Sequence, residues 1–422
     1  MGHNVNIDRE YRLLRQRMDH NVFSVPESPA ILGILRILYS PEEAAFAARL
    51  PVKPTRMENL VGKFEMPEDE LRGKLTGLAE RGLVFDFEWK GERYYALPPV
   101  LGGIYEYVMM RARDDLPMEE LSRLFDEYMN RDSNHQKAVH TGETLFARTL
   151  VREEALPEDD HSEILDYERV NRMIDSAVLL SIGLCPCRHT KGHLGKACDR
   201  PQRTCISLNQ GAESVIHAGI SERIDKREAF RILEEAKAEG LVQVGDNVQR
   251  KSSFICNCCS CCCTLFQGAR TLGNGHAIVT SNWVAELDTE LCTGCGRCIA
   301  TCPVQALAQP EKGGKTSLNA DVCLGCGVCY TMCRSGAIHM RMRERRAFTP
   351  ETTFDMIGHM AIERGKLAEM IFDDPEKLSH RALGRLLGLL ERSSPWKAAM
   401  AVRPLRSTFL NTMLKLARES KE

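Results

Sequence analysis

The sequence predicts an α+β chain of several domains, and three observations carry that expectation. Its 422 residues exceed what one hydrophobic core usually serves, which suggests about two to four domains. Helical periodicity near the N-terminus runs into a short alternating stretch and returns at the C-terminus. All 18 cysteines fall between residues 185 and 333, so the middle of the chain has a chemistry its ends lack. The expected order is a helix and linker (1–28), a helical unit closed by a hairpin (29–114), a mixed α/β Cys-rich unit (115–285), a doubled cysteine segment (286–342) and a helical region (343–422).

Residues 1–28 read as a short polar helix and a linker ending at Pro26 and Pro29. From Ala30, ILGILRILYS, RMENLVGKF and PEDELRGKLTGLAERG give three amphipathic helices, and LVFDFEWKGERYYAL gives a hairpin turning at Lys90-Gly91. This layout resembles a winged helix-turn-helix. The resemblance implies a reading helix over Glu68 to Glu80. Such a helix offers its N-terminal residues to the groove, and here those are Glu68, Asp69 and Glu70. Carboxylates repel phosphates, and no block of Lys and Arg compensates, so the counterion-release drive towards DNA is small. The net charge of −2 argues the same way. A protein-docking or structural unit is expected here rather than a nucleic-acid binder.

Between about Pro98 and Asp175 the pattern mixes helix and strand, with MEELSRLFDEYM placing Leu121, Leu124, Phe125 and Met129 on one helical face. His135, His140 and His161 stand in polar surroundings and are read as solvated. VLLSIGL is a buried strand that delivers the chain into CPCRHTKGHLGKACDRPQRTC, which holds Cys185, Cys187, Cys198 and Cys205. Four thiols so close suffice for a cubane. Arg188, Lys191, Lys196, Arg200 and Arg203 lie among them; cations there lower thiol pKa values and offset a cluster's charge, or receive an anionic partner. His189 and His193 are read as solvated, with zinc ligation beside Cys185 and Cys187 as the alternative.

DKREAFRILEEAKAEGLVQV is a helix with Phe230, Leu233 and Ala236 on one face, stopped by Gly240, and then a strand. FICNCCSCCCTLF follows, with Cys256, Cys258, Cys259, Cys261, Cys262 and Cys263 between a strand end and a helix start. Such a turn aims backbone N–H groups at an anion. Thiolates at this density select iron–sulfur, zinc or cuprous copper. The ten upstream cysteines fit two further 4Fe-4S clusters with two thiols spare, one cubane and one unusual cluster, or a zinc or copper store. Sequence leaves their pairing open.

The doubled segment reads LCTGCGRCIATCPVQAL and then VCLGCGVCYTMCRSGAI. Each copy has C-x2-C-x2-C-x3-C spacing, a full ligand set for a 4Fe-4S cluster. Three thiolates two residues apart wrap one side of a cubane, and the fourth leaves on a short helix towards the other cluster. The expected sets are therefore Cys292, Cys295, Cys298 with Cys333, and Cys323, Cys326, Cys329 with Cys302. Gly294, Gly296, Gly325 and Gly327 clear the way for backbone N–H groups to reach the sulfurs. Paired C-x2-C units also bind zinc, but a zinc site has no use for the third cysteine or the doubled x3 step. The segment resembles the bacterial two-cluster ferredoxin. Arg334 departs from the pattern, standing where the first copy has Pro303, and a cation there would favour the reduced cluster.

Beyond Cys333, RALGRLLGLLERS aligns Leu383, Leu386, Leu387 and Leu390. The last segment aligns Leu405, Phe409, Leu410, Met413 and Leu414, flanked by Arg403, Arg406, Lys415 and Arg418. A basic amphipathic helix lies on a membrane surface, docks a partner or folds back on its own chain; folding back is the commoner use, and peripheral membrane contact the alternative. MGHNVN lacks the Ser or Thr of a myristoylation signal, Met1 to His20 lacks a secretory core, and no apolar run spans a bilayer. A reducing cytoplasm is expected.

No Walker loop, nucleophile elbow or dinucleotide fingerprint is present, and TLGNGHA has glycines without the spacing. The clusters are then the chemistry. They point to an electron carrier, or the electron-transfer subunit of an oxidoreductase, working with a redox partner protein. Two alternatives are a redox or metal sensor acting through the winged helix and a reductase whose own cluster in the Cys-rich unit binds substrate. The whole layout resembles multi-cysteine ferredoxin-like proteins of anaerobic bacteria, which implies cluster chemistry.

Overall fold

The computed structural model describes residues 8–156, 165–272, 278–311, 313–374, 376–402, 406–410 and 412. Helix Arg9–Met18 buries Tyr11, Leu14 and Met18. The expected linker after it is instead packed: Val22, Phe23 and Val25 are buried, and Asp19 accepts the Val25 amide at 2.7 Å. Helix Pro29–Leu38 starts on a Ser28 cap, and Pro41–Ala47 on a capping box of Ser40 and Glu43. Each has proline in its first turn, where the missing N–H costs nothing.

Helices Met57–Phe64 and Glu68–Glu80 precede strands Phe85–Trp89 and Glu92–Ala96. Lys90 and Gly91 both take positive φ, 53° and 77°, as a two-residue type I′ hairpin turn requires. Thr55–Arg56 joins as a third antiparallel strand. Glu68, Asp69 and Glu70 are exposed, and Arg72 and Lys74 pair with Glu68 and Glu70 one turn away.

One core unites these helices with Met118–Asn130 and with the C-terminal helix Thr353–Arg364. The described part of the last segment folds back onto it. Leu410 is buried against Gly358, Phe409 meets Trp396 edge-on at 5.3 Å, and buried Arg406 pairs with Glu363 at 2.7 Å. Those apolar side chains face protein; Arg403, Leu405, Met413, Leu414, Lys415 and Arg418 lie outside the described residues. In helix Leu378–Arg392 the leucines do not share one environment: Leu387 turns inward, while Leu383, Leu386 and Leu390 are exposed. Among the described residues no helix is long and apolar enough to cross a membrane.

The Cys-rich unit is an antiparallel six-stranded sheet in the order Ala147–Thr149, Val242–Asp246, Phe254–Cys258, Arg203–Leu208, Leu180–Leu184, Glu222–Ile224. Leu180, Ile182, Ile206 and Ile255 pack under helices Val170–Ser176 and Lys226–Ala238. Because strand side chains alternate, Cys205 and Cys256 point to the opposite face, beside Met110. The following unit pairs Trp283–Leu287 with Ile338–Met342, and Leu307–Ala308 with Ser317–Leu318. Between them run two short helices, Arg297–Thr301 and Val328–Met332.

Candidate metal centre

The doubled segment forms two cavities, and each is lined by cysteines from both repeats. One is lined by Cys302, Cys323, Cys326 and Cys329, with Pro303, Gly325 and Gly327. The other is lined by Cys292, Cys295, Cys298 and Cys333. The crossing arises because each fourth cysteine ends a short helix, Arg297–Thr301 or Val328–Met332, that carries it to the far cavity. Gly325 is needed twice over: its φ is +73°, and a Cβ there would lie 2.0 Å from the Trp283 carbonyl oxygen. The Ala306 amide donates to Cys302 Sγ at 3.2 Å, the kind of N–H to sulfur contact that stabilises a bound cluster. Four thiols around each cavity, with backbone donors aimed at sulfur, suit a cubane.

The model of a 4Fe-4S dicluster domain matches residues 285–347. This segment is a 4Fe-4S dicluster ferredoxin domain. No curated protein and no solved structure matches the chain.

The two cavities of the ferredoxin domain differ in solvent access. Cys323, Cys326 and Cys329 are buried and Cys302 is half-buried, whereas Cys295 is exposed, Cys292 and Cys333 are half-buried and Cys298 alone of that set is buried. Burial pushes the Cys326 thiol up to about 12 and raises the Cys329 thiol well above its usual value. Backbone N–H groups of Thr316 and Gly294 hold Cys292 down, and that of Arg297 does the same for Cys295. Cations stand beside the inner cavity. Arg343 donates to the Cys323 carbonyl at 2.5 Å. Arg152 is 3% exposed, and its charge acts on Cys326 and Cys329. Sequence reasoning missed both, since neither lies near a cysteine in the chain. Arg334 is exposed.

Arg152 also ties the inner cavity to the Cys-rich unit. Its guanidinium donates to Thr331 Oγ1 at 2.9 Å and to the Lys237 and Leu241 carbonyls at 2.9 and 3.0 Å. Leu241 packs against Cys259 and Cys262. Arg270 forms a second tie, donating to the Ser260 carbonyl at 2.7 Å and the Pro303 carbonyl at 2.8 Å. Cys258 and Cys263 share one apolar core with Cys298, Cys323, Cys326 and Cys329.

The upstream cysteines form two neighbouring groups at the six-stranded sheet: Cys205 and Cys256 lie on the face opposite helix Lys226–Ala238, while Cys259 and Cys262 pack with Ala236 of that helix and with Leu241. Cys205 and Cys256 come from neighbouring strands whose register pairs Ile206 with Ile255, and Cys258 lies two residues further on the same face. Cys185 stands just before helix Pro186–His193 and Cys187 sits in its first turn, while Cys263 precedes helix Thr264–Leu272. Two helix N-termini thus converge on the thiols, where their partial positive charge favours thiolate. Cys198, Cys259, Cys261 and Cys262 form a separate knot, with all four sulfurs within 4.8 Å of one another. The neighbouring Cys262 thiol and the charge of Arg188 help hold Cys259 down at about 4, whereas burial raises Cys261 to about 11.

Of the five interleaved cations, Arg188 meets the thiols. It is fully buried, its Nη1 donates to the Asn257 carbonyl at 3.1 Å, and its charge faces Cys185, Cys259 and Cys258. Lys191 instead pairs with Asp126 at 2.5 Å, Arg203 with Glu222 at 2.7 Å, and Arg200 bonds the Glu239 carbonyl; Lys196 is exposed. His189 and His193 are half-buried rather than solvated: their Nε2 atoms lie 3.1 Å apart, and His189 Nδ1 meets the Met109 carbonyl at 2.8 Å. His135 is buried against Tyr128, and burial drives its pKa down to about 3. His161 and most of TLGNGHA lie outside the described residues. Glu106, which sequence did not single out, stands near Cys187 and Cys256, and burial raises its carboxyl to about 8.

Proposed function

We propose that the chain is an iron–sulfur electron-transfer protein that exchanges electrons with a partner at the outer ferredoxin cavity and conducts them inward to the Cys-rich unit. Cys292, Cys295, Cys298 and Cys333 hold one 4Fe-4S cluster, and Cys323, Cys326, Cys329 and Cys302 hold the other. Bound there, such clusters supply one-electron transfer. The observation that carries this reading is the asymmetry of the two cavities: one opens to solvent at Cys295, and the other has three of its four thiols buried, in the apolar core that also takes in Cys258 and Cys263 of the Cys-rich unit.

The protein's residues give that path a direction. Exposed Cys295 and Leu291 offer a partner close approach. Arg152 and Arg343 offset the added negative charge of reduction at the enclosed cavity, where water cannot. Arg152 and Arg270 fix the ferredoxin domain against the Cys-rich unit. The N-terminal unit is read as a winged helix that docks protein, because exposed Glu68, Asp69 and Glu70 begin the helix that would have to read DNA. Cytoplasmic placement follows from the same chemistry, since these thiols must stay reduced to serve as ligands.

The reading is tested by anaerobic reduction of the full chain with a small one-electron donor, followed by stopped-flow mixing with an oxidised flavoprotein or ferredoxin acceptor. Cluster bleaching and reoxidation without any substrate turnover supports a carrier. Turnover of a small-molecule substrate with an artificial donor and no partner would replace it with the reductase reading.

A further inference from the structure

The ten upstream cysteines separate into two sets with different geometry. The sulfurs of Cys198, Cys259, Cys261 and Cys262 all lie within 4.8 Å of one another, and those of Cys261 and Cys262 are 3.7 Å apart. Four thiolates at about 2.3 Å from one tetrahedral ion are separated by about 3.8 Å. This knot is therefore one ion wide. A cubane, with one thiolate on each of four irons, would hold its ligands farther apart.

The remaining six make a perimeter. Thiol contacts run from Cys185 to Cys187, on to Cys263, Cys258 and Cys256, and then to Cys205. Cys205 and Cys185 face each other closely enough for their charges to interact. Yet among the described residues no three of these six come within 4.8 Å of one another. Six thiols linked by pairwise contacts, with no three converging, do not fit a single ion. Such a set suits several metals, each taking its own thiolates.

Arg188 is a buried cation between the two sets of thiols. It is fully buried, its Nε has no hydrogen-bond partner, and among the described residues no carboxylate pairs with it. A guanidinium cannot shed its proton in a protein, so burial without a counter-charge is strongly unfavourable. Thiols of both sets, Cys185 and Cys258 from one and Cys259 from the other, are what it faces.

We propose that the chain carries two further, unlike metal centres: Cys198, Cys259, Cys261 and Cys262 hold one zinc ion, and Cys185, Cys187, Cys205, Cys256, Cys258 and Cys263 hold one polynuclear iron–sulfur cluster. The redox role of the six-thiol centre rests on the electron-transfer reading above. Its place suits that role, because Cys258 and Cys263 share an apolar core with the inner ferredoxin thiols. The zinc has a positioning task. Residues 259–262 form the loop between Cys258 and Cys263, and closing that loop on Cys198 sets the spacing of two ring members.

The test is metal and sulfide analysis of the full chain, purified without oxygen, together with zinc-edge X-ray absorption. Wild type is expected to hold one zinc with four sulfur neighbours at about 2.3 Å and more iron than the roughly eight of two ferredoxin clusters. C198S/C262S loses the zinc and keeps the ferredoxin iron. C205S/C256S loses the iron above about eight and keeps the zinc. Absence of zinc from wild type, zinc in both sets, or iron of only about eight in wild type overturns the proposal. The wild-type absorption spectrum decides even where a variant fails to fold. Absence of the ferredoxin iron and its spectroscopic signals is a different outcome, and it strikes the electron-transfer reading instead.

Discussion

Replacing Arg152 with methionine separates its two tasks. Methionine keeps much of the buried stem and removes the charge and three hydrogen bonds. Two of the lost acceptors are the Lys237 and Leu241 carbonyls. Leaving two such acceptors unpaired costs about 1 to 3 kcal/mol each, so R152M should lose roughly 2 to 6 kcal/mol of stability. The charge effect is distinct. A unit charge acting over about 8 Å at an effective dielectric of about 20 contributes roughly 2 kcal/mol, which is about 90 mV for a one-electron couple. Because Arg152 acts on Cys326 and Cys329, one ferredoxin potential should fall by tens of millivolts and the other should hardly move. A redox titration followed by electron paramagnetic resonance reads both. An unchanged pair of potentials, or a shift in the more exposed cluster alone, would refute the assignment of Arg152 to the enclosed cavity.

Three further outcomes follow from the same contacts. G325A should abolish one ferredoxin cluster, because a Cβ at φ +73° would meet the Trp283 carbonyl at 2.0 Å; G336A, at φ +69° in open space, should keep both and cost about 1 kcal/mol. Iron per chain distinguishes them. R406M leaves Glu363 without a cation 2.7 Å away in a buried setting, a loss of about 3 to 5 kcal/mol, and limited proteolysis should then release the C-terminal helices. His135 titrates below its unfolded value because burial disfavours its charge. Its contribution is complete above about pH 6.5 and is lost as pH falls towards 3, at about 1.4 kcal/mol per unit. H135F should therefore flatten the stability profile between pH 7 and 5.5; an unchanged slope in urea titrations would remove His135 as its source.

The ferredoxin domain was legible because its information is local. Spacing along a few residues suggests which thiols could share a cubane, and the structure lines one cavity with Cys302 beside the second repeat's thiols and the other with Cys333 beside the first's. The grouping of the upstream thiols was not legible. Cys205 meets Cys256 only because strands some fifty residues apart pair at Ile206 and Ile255, and long-range register is not written in either strand. The hairpin at Lys90-Gly91 was readable from turn chemistry. The linker was misread because Val22, Phe23 and Val25 have no helical or strand period, although they fill a core closed by helices from the far end of the chain. His135 misled for a related reason: its neighbours in sequence are polar, and its neighbour in space is Tyr128. The leucines of Leu378–Arg392 show the reverse, an apolar stripe of which Leu387 alone turns inward.

The central claim is tested most directly by titrating the anaerobically prepared full chain with a reductant while recording its paramagnetic spectrum and counting iron. The account predicts at least about eight irons and two low-potential signals that interact as both ferredoxin clusters become reduced. In C295S and C326S variants the signals should be lost one at a time. Fewer than about eight irons, or a spectrum without paired low-potential signals, would contradict an electron path through Cys292 to Cys333.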